Sequence, residues 1–336
     1  MDYYGLAQYF SFRCLAGACP STCCAGWSIL VDERDYQRFC RLEPEKLRKD
    51  ILSHIKEKSG EYFFQNRADG SCAMLDADGL CRIQRNTSEE TLCNTCRKYP
   101  RLFGEKNGSC YFTMAASCPV VSELLWQGRA DYLCGNFSGD ISGGRRCVDG
   151  RDVPVSRPVW EYYFEMRERS LLYRERIDRG ELFWDSLGVL SEMLAEILPG
   201  LVWGEWKHCE RLLLFYTRIP EEQAEKKTTD ILSCDTEKWD RFVGAYLEYR
   251  FMARQALFDE TPEETFCQSM GEVFFVRAAC FLTFWQRGAL QDGEVCEWIQ
   301  RVYRICANGK EHTARIKEAF CNLYQEKSLW VHLLLG

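Results

Sequence analysis

Cysteines dominate the first third of the chain. The sequence of 336 residues contains 20 cysteines, and eleven of them lie within the first 118 positions. Nine form two motifs: Cys14-x4-Cys19-x3-Cys23-Cys24, and Cys72-x8-Cys81 followed by Cys93-x2-Cys96 and Cys118. Closely spaced thiols can surround one ion within a short loop, and thiolates are preferred ligands of zinc, copper(I) and iron–sulfur clusters. The spacing therefore predicts a metal site with cysteine ligands.

The residue types narrow the choice of metal without deciding it. The chain has 4 histidines and none precedes His54, which disfavours a catalytic zinc site built from imidazoles. A closed zinc site and a [4Fe-4S] cluster both use four thiolates, so zinc and iron–sulfur stay open on spacing alone. The three-cysteine loop of radical S-adenosylmethionine enzymes does not fit, because Cys19-x3-Cys23 provides its first interval but Gly26 stands where its third cysteine would be.

The amino terminus and the apolar segments predict a cytoplasmic protein. The first residues, Met1-Asp2-Tyr3-Tyr4, carry no basic group and no apolar stretch follows them, unlike a signal peptide. The most apolar segment, Phe274 to Trp285, is interrupted by Arg277 and is shorter than the roughly 20 residues that cross a bilayer. We therefore expect no membrane association and a reducing compartment, in which thiols stay free unless a metal binds them.

The overall composition is that of a globular protein with a large core. Hydrophobic residues make up 46% and charged residues 28% of the chain, and the formal net charge is −7. An acidic chain without long basic runs is a poor partner for nucleic acid, so we expect none. A basic protein substrate is compatible with this charge.

The hydrophobic patterns predict a mainly α fold in two parts. Residues 1–133 are expected to form a cysteine-rich metal-binding region of irregular loops, with one helical segment over residues 32–58 that Pro44 can interrupt. Residues 134–158 are rich in glycine and predict a loop or linker. Residues 159–336 predict a helical domain, because apolar residues recur there at helical spacing. The predicted helices cover residues 158–179, 183–197, 235–256, 263–287 and 294–306, and a last helix ends near Leu335.

Further residues around the cysteines extend the two motifs into longer blocks. The first block is Phe12-x-Cys14, Cys19-x3-Cys23-Cys24-x-Gly26-Trp27 and Asp32. The second is Cys72-Ala-Met-Leu, Asp78-Gly79-Leu80-Cys81-Arg-Ile, Cys96-Arg97-x-Tyr99-Pro100-Arg101 and Ser117-Cys118-Pro119. These blocks resemble those of the flagellin lysine-N-methylases, which belong to a broader group of cysteine-cluster proteins that bind zinc or iron. The resemblance covers about a third of the chain.

This resemblance implies an activity, two cofactors and a set of ligands. It implies a protein-lysine N-methyltransferase that transfers methyl groups from S-adenosylmethionine to lysine side chains of flagellin in the cytoplasm. It also implies a [4Fe-4S] cluster, with zinc as the alternative. The cysteines that match the family's blocks are the implied metal ligands: Cys14, Cys19, Cys23, Cys24, Cys72, Cys81, Cys96 and Cys118. Cys93 departs from the family's pattern and is not included.

Two polar residues in the second block are candidates for catalysis. A lysine ammonium must lose its proton before it attacks a sulfonium methyl group, so the site needs a base or desolvation, and an in-line arrangement. Tyr99 could provide a polar group near the metal, and Arg101 could bind a carboxylate such as that of the methionine part of the cofactor. The alternative is a structural Tyr-Pro-Arg turn in which the guanidinium binds backbone carbonyl groups.

A different class of function also stays open. The broader cysteine-cluster group implies, as the alternative, a non-catalytic protein that binds zinc or an iron–sulfur cluster, or a redox sensor whose spare thiols oxidise. The long helical part favours the enzyme, because it is more chain than a metal carrier needs.

Overall fold

The computed structural model describes residues 2–106, 109–136, 236–257 and 262–308, and residue 314. The chain divides into two compact units. We call residues 11–102 the cysteine unit, and residues 1–10 together with 103–336 the helical unit. Most of the predicted linker, the helices predicted over 158–179 and 183–197, and the end of the last predicted helix lie outside the described residues. The division at residues 133 and 158 therefore stays a prediction.

Strands and helices both occur throughout the first 136 residues. The strands of the described residues are β1 (Asp2–Leu6), β2 (Leu30–Val31), β3 (Ile55–Lys58), β4 (Glu61–Phe64), β5 (Arg101–Lys106), β6 (Ser109–Met114) and β7 (Tyr132–Asn136). Their α-helices are α1 (Gln8–Ser11), α2 (Glu33–Phe39), α3 (Glu45–Ser53), α4 (Arg82–Asn86), α5 (Asn94–Lys98), α6 (Pro119–Trp126), α7 (Thr236–Leu257), α8 (Pro262–Arg287) and α9 (Asp292–Asn308). None of the helices in these ranges has an apolar stretch long enough to cross a membrane.

Local sequence signals explain where the elements of the cysteine unit begin and end. Asp32 precedes α2, and its Oδ1 accepts the backbone N–H of Asp35 at 2.8 Å, which caps the helix. Pro44 precedes α3, where its missing N–H removes no helical hydrogen bond. Ser59 and Gly60 turn the chain from β3 into β4 with φ angles of 56° and 81°.

The cysteine unit has one core between a small sheet and its helices. The sheet has the order β2-β4-β3, and both pairings are antiparallel. Its buried apolar side chains include residues of the sheet, of the segment before it and of α2 and α3: Ile29, Val31, Phe39, Ile51 and Phe64. Burial of this apolar surface is the main stabilisation available to a unit this small.

The helical unit contains a four-stranded mixed sheet with the order β5-β6-β1-β7. β1 pairs with β6 in parallel and with β7 antiparallel. Gly5 lies opposite Phe112 in this register, and a Cβ atom on Gly5 would come within 2.7 Å of the Phe112 Cβ. Only glycine therefore fits at this position without displacing the neighbouring strand.

The long helices of the helical unit pack through aromatic residues. Trp126 of α6 makes edge contacts with Trp239 and Phe242 of α7, at centroid distances of 4.8 and 5.5 Å. The hydroxyl of Tyr249 accepts the backbone N–H of Ala116 at 3.0 Å, which joins α7 to the segment after β6. These aromatic residues recur at helical spacing, so the sequence pattern and the packing agree.

An ion pair is buried between α7 and α8. Glu272 is completely buried and Arg250 is 2% exposed. The carboxylate accepts hydrogen bonds from Arg250 Nη2 at 2.8 Å, from the Tyr246 hydroxyl at 2.9 Å and from Gln268 Nε2 at 3.1 Å. Burial of a charge is costly unless it is paired and hydrogen-bonded, and this carboxylate is both.

The structure contradicts the predicted mainly α fold with irregular amino-terminal loops. Two sheets, of four and three strands, lie within residues 2–136. The strands have two to six residues, and β1 pairs with β6 across about a hundred residues of sequence. Local periodicity does not reveal such short and distant pairings.

Where apolar periodicity extends over many residues, the predicted helices are confirmed. The helix predicted over residues 263–287 is α8, that over 294–306 lies within α9, and that over 235–256 corresponds to α7. The single segment predicted over 32–58 is instead α2, α3 and β3, with the break before Pro44 as expected.

Candidate functional site

The cysteine unit brings thiols from both sequence motifs into one region. Cys72 and Cys93 are buried members of its apolar core, and Cys24, Cys81 and Cys96 pack against the same core. All five are free thiols. We call these five residues the core thiols.

The first motif forms an exposed loop that returns to the core at Cys24. Cys14 is exposed, and its sulfur accepts the backbone N–H of Ala16 at 3.3 Å. The Cys19 thiol donates to the carbonyl of Ser21 at 2.7 Å. Trp27 anchors the end of the loop, because its indole Nε1 donates to the carbonyl of Cys23 at 2.7 Å. The loop is thus tied at the end where Cys24 reaches the core.

Backbone pairing places Cys72 beside Cys24. The N–H of Cys72 donates to the carbonyl of Cys24 at 2.6 Å, although the two residues belong to different motifs. Cys81 lies across a short antiparallel bridge from Leu75, and it immediately precedes α4. Gly79 makes the turn between them with a φ of 80°, which glycine adopts without strain. The Asp78-Gly79 sequence therefore returns Cys81 to the core.

Cys93 and Cys96 lie at the start of α5. Cys93 is the residue before the helix and is completely buried, and Cys96 is in its first turn. The hydroxyl of Thr95 donates to the carbonyl of Leu30 at 2.7 Å, which fixes the helix against β2. The two-residue spacing puts both thiols on one side of this turn, where they contact each other.

Three arginines hold the segments that carry the cysteines. Each guanidinium donates to a backbone carbonyl one or two residues from a thiol. The bonds run from Arg101 to Phe12 (2.8 Å), from Arg67 to Ala73 (3.1 Å) and from Arg38 to Leu92 (2.8 Å). Guanidinium groups are suited to this, because they present several donors in a fixed plane.

Hydrogen bonds between neighbouring thiols shift the two pKa values of each close pair in opposite directions. A hydrogen bond with Cys23 lowers the pKa of Cys24 to about 7 and raises the pKa of Cys23 well above its ordinary value. A second hydrogen bond, between Cys93 and Cys96, raises the pKa of Cys96 and lowers that of Cys93. One sulfur of each pair is therefore the more easily ionised, which is the form that binds metals.

Burial and the other thiols set the remaining pKa shifts. Burial raises the pKa of Cys72 to about 12 and also raises that of Cys81, and Cys24 and Cys93 add to both shifts by their charge. The backbone N–H of Met74 opposes the shift of Cys72. The core thiols are thus within electrostatic range of one another.

These residues fit a soft metal centre in the chemistry of their donors. They are sulfur atoms from two motifs in and around one apolar core, and thiolates are the ligands that zinc and iron–sulfur clusters prefer. Their arrangement is not a finished coordination shell. Within the described ranges, no group of three or more His, Cys, Asp or Glu side chains is placed so that it could hold a metal ion. The predicted ligand set therefore stays a prediction.

The remaining predicted site residues lie at several places. Tyr99 follows α5, and its ring lies 6.2 Å from that of Trp27. The Arg101 guanidinium lies over the ring of Phe12 at 5.2 Å and also donates to the Phe12 carbonyl. The second contact is of the kind expected for a structural Tyr-Pro-Arg turn, in which the arginine binds a backbone carbonyl. Cys118 belongs to the helical unit, where it precedes α6. The catalytic roles of Tyr99 and Arg101 stay predictions.

Sequence reasoning omitted residues that are prominent in the structure. Cys93 was left out of the ligand set, although its Cys93-x2-Cys96 spacing is itself a common ligand signal. Asp35 and Arg38 had no motif to mark them. Asp35 is 4% exposed, and it pairs with Arg38 at 2.6 Å next to the Cys93 segment.

Comparison with known proteins identifies distant relatives. No protein-family model matches the chain, and no solved structure matches it. The chain is 28% identical over 119 residues to the Lysine-N-methylases of Salmonella typhimurium and Salmonella choleraesuis. This stretch covers 34% of the chain and 30% of each of those proteins. The chain is also 28% identical over 120 residues to the Flagellar biosynthetic protein FliU of Salmonella muenchen, covering 34% of the chain and 70% of that protein.

The similarity supports a relationship to the lysine-N-methylases over about a third of the chain. It spans about 30% of the length of the Lysine-N-methylases that it matches.

Proposed function

We propose that this protein is a methyltransferase that transfers methyl groups from S-adenosylmethionine to lysine side chains of flagellin. The observation that carries the proposal is the 28% identity over 119 residues with proteins named Lysine-N-methylase. The name of the third relative, a flagellar biosynthetic protein, supports flagellin as the substrate.

The proposed metal centre is a [4Fe-4S] cluster, with zinc as the alternative. In the cysteine unit its candidate ligands are Cys24, Cys72, Cys81 and Cys96, the predicted ligand residues that belong to one core or pack against it. When bound, such a group ties together segments that are distant in sequence and so contributes to folding. Thiols that bind the metal would release their protons, so metal binding should be weaker at low pH.

The proposed reaction places requirements on the chain's own residues. A nitrogen–carbon bond forms as the carbon–sulfur bond of the sulfonium breaks, and the electron pair of that bond stays on sulfur. The lysine must first lose its proton. A half-buried surface helps, because partial desolvation lowers the pKa of the lysine ammonium. Tyr99 stays our candidate for the polar group at this surface, because its ring packs with Trp27 beside the Cys23 loop. Arg101 stays the candidate carboxylate-binding group.

The experiment that tests the proposal is anaerobic incubation of the purified chain with S-adenosylmethionine and flagellin. Intact-mass spectrometry should show methyl-sized increments on flagellin, and peptide mapping should place them on lysines. Cys96→Ser should abolish both the increments and the bound metal. Cys280→Ser, at a buried cysteine of α8, is the matched control and should retain both. Unmodified flagellin after incubation with metal-loaded protein would contradict the proposed activity.

A second candidate, a thiol-based redox sensor, is favoured by the two thiol pairs in direct contact. The hydrogen bond with Cys96 lowers the pKa of Cys93, and peroxide would oxidise this sulfur to a sulfenic acid that the Cys96 thiol attacks, forming a disulfide and releasing water. Treatment of metal-free protein with dilute peroxide and peptide mapping would detect such a disulfide. A sensor should form it reversibly and should not methylate flagellin.

A further inference from the structure

The peptide groups on both sides of Cys93 are held by one ion pair. Arg38 Nη2 donates to the carbonyl of Leu92 at 2.8 Å, and Asp35 Oδ2 accepts the backbone N–H of Asn94. These two groups belong to the peptide bonds that precede and follow Cys93. The pair therefore fixes the backbone at this cysteine from both directions, and with it the direction in which the side chain leaves the backbone.

The ion pair is itself tightly organised. Arg38 Nη2 is 2.6 Å from Asp35 Oδ1, and Arg38 Nη1 donates at 2.8 Å to the carbonyl of Glu90, so the guanidinium also holds the approach to Cys93. Asp35 is 4% exposed, and both of its carboxylate oxygens are used. The Asp32 cap at the start of α2 positions Asp35. Burying a carboxylate costs free energy unless it is paired, and here its hydrogen bonds go to Arg38 and to the backbone next to Cys93.

The side chain that this clamp orients faces other thiols. Cys93 is completely buried, it contacts Cys96, and it belongs to the same core as Cys72. A pair of cysteines two residues apart at the start of a helix can place both sulfur atoms on one ion. Arg67 holds the Cys72 segment through guanidinium bonds to the carbonyls of Ala73 and Leu75 and through its backbone N–H, which donates to the carbonyl of Ser71 at 2.7 Å. At Cys93 the peptide groups on both sides are instead bound by side chains, those of the Arg38–Asp35 ion pair.

We propose that Cys93 is a thiolate ligand of the metal centre and that Asp35 and Arg38 are positioning residues that hold it in place. The inference rests on the proposed function only for the existence of the centre. For a four-coordinate centre, Cys93 and Cys96 then supply two ligands from one turn of α5. Two positions are left for Cys24, Cys72 and Cys81.

The test of Cys93 uses metal content and spectrum, which do not depend on methylation. The full chain and its variants would be reconstituted without oxygen, with ferrous iron and sulfide in one series and with zinc in another. Cys93→Ser should lose bound metal or shift the visible absorption. Cys40→Ser is the matched control, because Cys40 is a half-buried free thiol at the end of α2 outside the core thiols, and it should bind like the unchanged protein. Far-UV circular dichroism of each metal-free variant verifies that it is folded.

The positioning role has its own measurement. Asp35→Asn and Arg38→Gln should weaken metal affinity by about 10- to 100-fold, the usual effect of removing groups that orient ligands, and should leave the spectrum of the loaded protein unchanged. In the metal-free state both variants should alkylate faster at Cys93, as mapped by mass spectrometry, while labelling of Cys40 stays constant. Arg38→Lys should recover part of the affinity, because it restores the charge but not the paired donors.

The outcomes separate this inference from the proposed function. Unchanged metal content and spectrum in Cys93→Ser would overturn the ligand assignment while the metal centre stands. Unchanged affinity and Cys93 labelling in Asp35→Asn and Arg38→Gln would overturn the positioning role. An unchanged protein that takes up neither iron nor zinc would remove the metal centre and the ligand assignment together. A normal metal site without methylation of flagellin would leave this inference intact and contradict the proposed activity.

Discussion

The buried ion pair between α7 and α8 offers the sharpest test of how the helical unit is stabilised. Glu272→Gln changes the shape of the side chain very little but removes its negative charge. Arg250, 2% exposed, then keeps a buried positive charge without that carboxylate. Because breaking a buried pair leaves one charge uncompensated, the free energy of unfolding should fall by about 3–5 kcal/mol.

A surface pair on α9 is the matched control. Glu297 and Arg301 are 2.8 Å apart, four residues along one helix, with side chains that are 55% and 34% exposed. Such pairs contribute only about 0.3–0.5 kcal/mol, because water screens them. Glu297→Gln should therefore change stability about tenfold less than Glu272→Gln, although both variants remove one carboxylate from one arginine.

Urea denaturation followed by circular dichroism measures both variants. For a slope of about 2 kcal/mol per molar urea, Glu272→Gln should lower the midpoint by roughly 2 M. Replacing Glu272 and Arg250 together by methionine should recover most of the loss, because no buried charge is then left. A midpoint for Glu272→Gln that matches that of Glu297→Gln would refute the reasoning from burial.

Four further substitutions have effects that the structure predicts. Burial raises the pKa of Glu248 from an ordinary 4.5 to about 6, because the charged carboxylate is poorly solvated in the folded state. The folded protein is therefore most stable with respect to this group below pH 4.5, where the carboxyl is protonated, and loses that stability as the pH rises through 6. At neutral pH, Glu248→Gln should therefore increase the free energy of unfolding by about 1 kcal/mol, after allowance for partial exposure, and so raise the melting temperature. Near pH 4 the substitution should leave the melting temperature unchanged. Gly5→Ala should cost about 1–3 kcal/mol, because its new Cβ would lie 2.7 Å from the next strand. Gly293→Ala, with open space in a helix, should stabilise by about 0.5–1 kcal/mol, and thermal denaturation compares the two. Trp27→Phe removes the 2.7 Å bond to the Cys23 carbonyl and should speed alkylation of Cys23, whereas an unchanged labelling rate would show that the loop needs no anchor.

The sequence by itself determined the features that depend on neighbours along the chain. The apolar periodicity of residues 263–287 corresponds to α8, and Asp32 and Pro44 mark the starts of α2 and α3. A helix forms its hydrogen bonds within one segment, so its signals are local. Cysteine spacing likewise identified the residue types with metal-binding chemistry, because soft donors are recognisable without coordinates.

The tertiary structure decided the features that depend on residues far apart in sequence. β1 pairs with β6 in parallel, and strands this short carry too little periodicity to predict their partner, so the mainly α prediction was wrong. Cys24 and Cys72 are neighbours because a backbone hydrogen bond joins the two motifs. The clamp on Cys93 depends on Asp35 and Arg38, which no spacing rule connects to it. Such contacts form only when the core holds distant segments together against the entropy of the chain between them, and that balance is a property of the whole fold.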